Sequence, residues 1–403
     1  MSSLSSIAAR PQAEAKGSWH TAREIFQQPT VWPKVLDLLE GRRVEITRFL
    51  SGAGAAGDAG AEDATILLTG AGSSDYIGRA AAPSLRARLC RPVAAVPTTH
   101  FVTHPDSHFI PGRLCLVIHF ARSGDSPESL AAWRLLRRAR PDARHIVITC
   151  NESGALAREA AKDPLALLLT LPPETNDRSL AMTSSFTSMA LCAVGLGWLE
   201  ALTELRYELG AVCEAARQLI EEQADSIDAF AHRSFTRACY LGSDALEGAM
   251  SEGALKMMEL TAGRVAVVSN SFLGVRHGPQ VFIDATCVVV ACLSSNPKVR
   301  RYETDLLREL RRKGQGCGVL AITVHGDPGL SDCVDLPVVL LPGETTGGTA
   351  VPAGIPEELR VLTDIVACQV LAFGRSRALG FAPDNPSPAG VISRVVQGVT
   401  IYD

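Results

Sequence analysis

Glu252, Lys256 and Glu259 stand at i, i+4 and i+7 in the stretch Gly242–Gly263, so on a helix all three project from one side. The stretch follows a short apolar run, Ala238–Leu241, which predicts a strand, and Gly263 supplies a helix stop. The remaining sides carry Ala245, Leu246, Ala249, Met250, Ala254, Leu255, Met257, Met258 and Leu260. That is too apolar for a surface helix, and it predicts that the charged trio faces an enclosed site. A carboxylate beside an ammonium in a cleft suits proton transfer. The bland alternatives are a buried structural ion pair or a charged stripe facing solvent.

Two other stretches could carry chemistry. The predicted strand Leu114–Phe120 runs into Ala121-Arg122-Ser123-Gly124-Asp125-Ser126-Pro127-Glu128-Ser129. Ser126 before Pro127 is a sound helix start. Ser123, Gly124 and Ser126 at a helix N-terminus make a candidate anion site, against the alternative of an ordinary capped turn. The run Gly70-Ala71-Gly72-Ser73-Ser74 is a second glycine and hydroxyl loop. Its third glycine is misplaced for a dinucleotide fingerprint and no acidic residue closes the next strand, which excludes NAD. His277, between Arg276 and Gly278-Pro279, lies in a turn before a strand expected over 282–290. Turn histidines are more often incidental than catalytic, but few of the nine histidines sit in so constrained a setting.

These stretches need elements to position them. The chain has 403 residues, 46% hydrophobic and 20% charged, with a net charge of −4. This describes a globular protein of two or three domains at roughly 100–200 residues each. The absence of a basic field argues against nucleic acid as a partner. Eleven scattered cysteines without a C-x-x-C pair point to reduced thiols in a cytoplasm, with no metal site. No membrane span is expected, since the longest apolar run, Met189–Leu199, is too short.

Residues 1–20 read as disordered, followed by a helical arm that opens at Thr21–Ile25, is interrupted by Pro29 and Pro33, and resumes over Val35–Leu50. A Gly/Ala-rich link, Ser51–Ala61, leads to the first strand, Thr65–Thr69. From there the sequence repeats. Ile66–Thr69 matches Ala238–Leu241, Val93–Val96 matches Val265–Val268, and Leu116–Ile118 matches Val288–Val290, each at an offset of 172. His145–Thr149 matches Leu320–Thr323 at 174, and Leu171–Thr175 matches Leu341–Thr345 at 170. The strands are continuously apolar, so each sheet is parallel and covered on both faces. The expected architecture is α/β, two tandem α/β/α sandwich domains over 45–220 and 225–375, with an N-terminal arm (1–44) and a tail (376–403). Helices over Ser184–Leu199 and Ala211–Ala229 close the first domain and lead to the second. Ligands of such sheets bind beyond the carboxyl ends of the strands. The second copy of the anion loop, Leu293–Lys298, has lost its glycine, which implies one phosphate-type site per chain.

With these motifs on the page, the chain resembles the sugar isomerase (SIS) domain family. It is most similar to the tagatose-6-phosphate ketose/aldose isomerase group, also described as galactosamine-6-phosphate deaminases. The resemblance runs from Thr21 to the C-terminus. It rests on Arg23–Pro29, Gly70–Ser74, Arg122–Glu128, Ser184–Thr187, Glu252–Lys256 with Glu259, Arg276–Pro279, and the tail Asp384–Pro386 and Val395–Thr400. By likeness to the isomerase half of glucosamine-6-phosphate synthase, it implies that Ser123 and Ser126 hold a sugar phosphate and Ser74, beside Ser73, contacts the sugar. Glu259 would then shuttle a proton between C1 and C2, with Lys256 in the same pocket. His277 would assist ring opening from a neighbouring subunit, so the resemblance implies a homodimer with shared active sites. Thr183 and Gln397 complete the implied substrate contacts. The chain departs from that synthase at Ala121, which replaces a phosphate-loop serine, and at Ser184, which replaces a lysine. It departs again at Gln397, where the synthase has a Schiff-base lysine. The sequence opens Met1-Ser2-Ser3 with no glutaminase half, which favours ammonia release or plain isomerisation over ammonia incorporation.

The function expected is a cofactor-free amino-sugar 6-phosphate deaminase/isomerase that forms D-tagatose 6-phosphate and ammonia from D-galactosamine 6-phosphate. The rivals are a plain ketose/aldose phosphate isomerase, a glucosamine-6-phosphate deaminase, and a sugar-phosphate sensor without turnover. Sensors of this kind usually carry a DNA-binding segment or lack the acid–base residues, whereas Lys256, Glu259 and His277 are all present.

Overall fold

The computed structural model describes residues 2–11, 16–56, 64–341, 354–387 and 389–402. Two five-stranded sheets, all parallel, form its framework. The first contains β1 (Thr65–Thr69), β2 (Val93–Ala95), β3 (Cys115–Ala121), β4 (Arg144–Thr149) and β5 (Ala166–Thr170), in the order β2-β1-β3-β4-β5. The second contains β6 (Arg237–Gly242), β7 (Ala266–Ser271), β8 (Cys287–Cys292), β9 (Gly318–Thr323) and β10 (Leu336–Val339), in the order β7-β6-β8-β9-β10. The two orders are the same. Every residue of β1, β3, β8 and β9 is buried, as covered parallel strands require.

Registers locate the equivalences. Thr65 pairs with Cys115 and Arg237 with Cys287, an offset of 172 on both strands. Ile66 pairs with Val93 but Ala238 with Val267, so the second strands correspond at 174 rather than 172. From Pro342 onward the last matched segment lies outside the described residues, as do residues 57–61 of the link.

The chain divides into two compact units. One gathers Met1–Pro29, Arg178–Thr183 and Tyr207–Ala389 around the second sheet. The other gathers Thr30–Asp177, Ser184–Arg206 and Gly390–Asp403 around the first. In the unit of the second sheet, Val289, Leu306, Leu310, Val319 and Ala321 are among the core side chains between β8, β9 and helix Pro297–Arg312. In the other, Leu67, Val117, Ala132 and Leu136 join β1 and β3 to helix Pro127–Ala139. Each fully buried Leu, Ile or Val contributes about 1.5–3 kcal/mol of transfer free energy.

Four local expectations are corrected. Residues 3–9 are helical rather than disordered, because Leu4 and Ile7 bury and Ser3 N–H donates to Asp225 Oδ1 at 2.7 Å. Pro33 does not break the arm, which runs as helices Trp19–Phe26, Gln28–Gly41 and Arg43–Gly52. Burial of Trp32, Val35, Leu36 and Leu39 outweighs the missing donor. The strand expected from Phe282 begins only at Cys287. Pro279–Phe282 is a 3₁₀ turn, and Asp284 Oδ1 accepts from Thr286 N–H at 2.9 Å, which bends the chain before pairing begins. The expected helices at 184–199 and 211–229 have other bounds: Ser184–Gly195 is followed by a 3₁₀ stretch, Leu196–Ala201. Helix Leu202–Gln218 then passes through a π turn, Leu219–Gln223, into Ala224–Ala231. Among the described residues no single helix is long and apolar enough to cross a membrane.

Candidate functional site

The helix that carries the charged trio spans Ala245–Leu260. Its entry is tight: a Cβ on Gly242 would lie 2.4 Å from Leu246 O, so only glycine fits. Its exit follows the glycine stop read from the sequence. Gly263 takes φ +73° and its N–H donates to Met258 O at 2.9 Å. Helix Glu357–Ala378 packs closely at Gly253, where a Cβ would meet Cys368 Sγ at 3.0 Å. Small residues on this helix therefore let a second backbone approach and enclose the charged side chains.

Glu252 and Lys256 are fully buried, while the Glu259 side chain keeps 23% exposure. Lys256 Nζ lies 3.3 Å from Glu252 Oε1 and donates a short hydrogen bond to Glu259 Oε2. Burial alone would drive the lysine to lose its proton, but the two carboxylates outweigh it and raise its pKa above the ordinary 10.5. Lys256 is thus an ammonium at neutral pH, and Glu259 is the one carboxylate of the trio open to solvent. This arrangement can take up and release a proton beside a fixed positive charge.

His277 ends the 3₁₀ turn Gly274–His277 after β7 and is exposed. The turn is anchored by Arg276, whose guanidinium bonds Asp305 at 2.8 Å and Glu309 at 2.9 Å. Gly278 follows at φ +124°. The structure therefore holds His277 on a fixed backbone without a hydrogen bond to the trio. Thr183 is buried in the segment Arg178–Thr183.

Around the first sheet, β3 leads into the hydroxyl loop and helix Pro127–Ala139. Ser126 is the N-cap, its Oγ accepting from Ser129 N–H at 3.4 Å. Gly124 takes φ +69°, and Ser123 Oγ accepts from Asp125 N–H at 3.3 Å. The loop is fixed from behind. Asn151 Nδ2 donates to Ser123 O at 2.9 Å, Leu156 N–H to Gly124 O at 2.9 Å, and Ala155 N–H to Asp125 Oδ1 at 2.9 Å. Ser123, Gly124 and Ser126 thus converge on one helix start, an arrangement suited to an anion. Ser73 and Ser74 are buried at the start of helix Ser73–Leu89, after Gly72 at φ +59°. Gln397 is exposed in the tail.

Sequence reasoning gave no role to Arg122, although it sits inside the loop motif. It is 8% exposed and donates to Arg394 O at 2.7 Å. Arg394 in turn donates to Asp177 O at 2.7 Å, which ties the tail beside the loop. The second copy of the loop has a different fate. Ser294 Oγ donates to Glu357 at 2.8 Å, Ser295 N–H to Glu357 at 2.6 Å, and Ser294 N–H to Glu303 at 2.7 Å. Carboxylates of the chain itself occupy the donors that an external anion would need. Among the described residues no group of three His, Cys, Asp or Glu side chains is placed to hold a metal ion, and all eleven cysteines are free thiols.

Twin parallel sheets of one topology, with a hydroxyl-lined helix start on one and a carboxylate–ammonium helix on the other, define a tandem SIS-type α/β protein. The model of the SIS domain matches residues 61–194. D-galactosamine-6-phosphate deaminase AgaS of Escherichia coli is 36% identical over 97% of both chains. The protein of that name from Shewanella sp. (strain ANA-3) is 36% identical over 96% of this chain and 92% of its own. The crystal structure of tagatose-6-phosphate ketose/aldose isomerase from Escherichia coli superposes with a TM-score of 0.85 at 34% identity, covering 98% and 99% of the two chains. The chain belongs to the SIS domain family, in the group that contains these AgaS proteins.

Proposed function

We propose that this chain is a D-galactosamine-6-phosphate deaminase, forming D-tagatose 6-phosphate and ammonia. The observation that carries the reading is the buried Glu252–Lys256–Glu259 trio with Glu259 alone open to solvent, in a chain 36% identical to AgaS proteins nearly end to end. The phosphate rests on Ser123, Gly124 and Ser126, with Ser73, Ser74, Thr183 and Gln397 as further substrate contacts. His277 assists ring opening, which frees the C1 aldehyde and acidifies the C2 proton. Glu259 takes that proton and returns it to C1, while the oxygen on C1 gains a proton and the nitrogen on C2 gives one up, so C1 becomes a hydroxymethyl group and C2 an imine. Water adds to the imine and ammonia leaves, giving the C2 ketone. Lys256 offsets negative charge developing at the oxygen on C1. The C1 carbonyl supplies the electron sink and the nitrogen lone pair drives reprotonation at C1, so the steps as written use no cofactor. The protein acts as a cytoplasmic homodimer, which light scattering of the purified chain would read.

Purified protein supplied with galactosamine 6-phosphate is expected to release one ammonia per ketose phosphate formed. Turnover of neutral ketose and aldose phosphates without ammonia release would select the isomerase reading named by the relative of known structure. Binding of phosphosugars with no turnover at all would select the sensor.

A further inference from the structure

His277 has a step in the reaction above, yet it is exposed and ends a short 3₁₀ turn that begins at Gly274. Gly278 follows at φ +124°. Glycines at both ends leave the backbone free, so groups outside the turn must fix the imidazole. Helix Pro297–Arg312 supplies them in two ways. On the apolar side, Phe272 and Val275 bury in the core that includes Leu306, Leu307 and Leu310 of that helix. On the polar side, Asp305 and Glu309 stand four residues apart on one face, with Lys313 four residues further on.

The polar contacts meet at Glu309. Its Oε2 accepts from Arg276 Nε at 2.9 Å, on the residue before His277. Its Oε1 accepts from Gln280 Nε2 at 3.1 Å, beyond His277, and from Lys313 Nζ at 2.7 Å. Hydrogen bonds from Lys313, then Gln280, then Arg276 hold this carboxyl down at about 2, so it is ionised at neutral pH. Gln280 also meets Gln315 at 3.0 Å, and Gln315 donates to Ile283 O at 3.1 Å. Asp305 reaches Arg276 as well, but its side chain is 68% exposed against 20% for Glu309. An ion pair so open to water is screened and adds little. Glu309 is thus the charged group that grips the turn on both sides of His277. Both of its oxygens are engaged by these side chains, so it acts through the turn and not on a substrate.

We propose that Glu309 is a positioning residue for ring opening: by holding Arg276 and Gln280 at once, it fixes the backbone that carries His277, and with it the place of the imidazole against the sugar. The proposal rests on the phosphosugar reading above and on the step that reading gives to His277.

A double-mutant comparison with ammonia release as the rate tests it. E309A is expected to lower kcat about tenfold or more, since a displacement of about 1 Å at an acting group costs up to about 10²-fold. KM is expected to change by less than about threefold, because the proposed phosphate contacts lie on the first sheet. In an H277A background the same substitution is expected to change kcat by less than about twofold, since the group it positions is gone. Equal falls in both backgrounds would mean a structural role unconnected with His277 and would overturn the proposal, as would an unchanged kcat in E309A. H277A turning over at the wild-type rate would remove His277 from the reaction and the proposal with it. A readout free of turnover is backbone hydrogen exchange over 274–283, expected to be about fivefold faster or more in E309A with β6 and β8 unchanged. Unchanged exchange there would overturn the proposal whatever the rates. Should E309A fail to fold, E309Q, which turns an N–H₂ group toward one of these donors, takes its place with the same outcomes. Failure of the wild type to release ammonia from any amino-sugar phosphate would overturn the function instead, since the exchange reports on Glu309 without substrate.

Discussion

At the scale of single residues, the proposed chemistry rests on unequal burial within one helix. Glu259 keeps 23% side-chain exposure beside a fully buried Lys256 and Glu252, so of the three it alone is open to solvent, as the proposed general base must be. E259Q preserves shape and a hydrogen-bond acceptor while removing basicity. It is expected to lower kcat by about 10²–10⁴-fold, the range of positioned general bases, with the fold retained by circular dichroism. An unchanged rate would remove Glu259 from the mechanism. Ser126, proposed to hold the phosphate, also caps helix Pro127–Ala139 with its hydroxyl. S126A is therefore expected to lose about 1 kcal/mol of stability besides phosphate affinity. S123A is expected to raise KM with little change in Tm, since Ser123 Oγ accepts only a 3.3 Å bond from Asp125 N–H. Equal Tm losses in the two variants would contradict this separation.

At the scale of elements, the two sheets solve the same problem of turning a strand into a helix, and the solutions differ at one residue. Gly72 takes φ +59° and ψ −126° before helix Ser73–Leu89. Asp244 takes φ +53° and ψ −122° before helix Ala245–Leu260. Only glycine adopts this conformation without strain, and a non-glycine residue there costs about 1–3 kcal/mol. Glycine gives back about 0.5–1 kcal/mol through the greater freedom of the unfolded chain. D244G is therefore expected to raise unfolding stability by about 1 kcal/mol net, measured by chemical denaturation with an unchanged m-value. A loss of stability would show that the Asp244 side chain repays the strain locally. The helix boundary at Gly263 was legible because a helix stop has a residue signature. The strain at Asp244 was not, because an aspartate before a helix reads as an ordinary N-cap.

For the molecule as a whole, the sheets were legible from apolar runs at nearly one offset, since covered parallel strands carry no polar alternation. What stayed hidden was long-range. Glu357 filling the second loop and Arg122 of the first donating to Arg394 O are contacts across more than 60 residues that no local pattern signals. The same holds for His119 on β3 and His145 on β4, whose rings meet at 3.0 Å in the core beside Trp133. Burial, followed by the neighbouring His145, holds His119 well below 6.5. Burial, followed by Arg137, lowers His145 to about 3. Both are neutral in the folded state at neutral pH. The unfolded chain binds protons at these sites once pH falls below about 6.5, while the folded chain refuses them until much lower pH. Folding stability therefore drops as pH decreases from 6.5 toward 3, by up to about 1.4 kcal/mol per pH unit for each histidine. Denaturant unfolding of the wild type and of H145Q between pH 6.5 and 4 reads this slope. The variant is expected to lose about one proton's worth of it, even if the substitution lowers stability throughout. Equal slopes would mean that the histidine pair opens before it charges, and that acid sensitivity arises elsewhere.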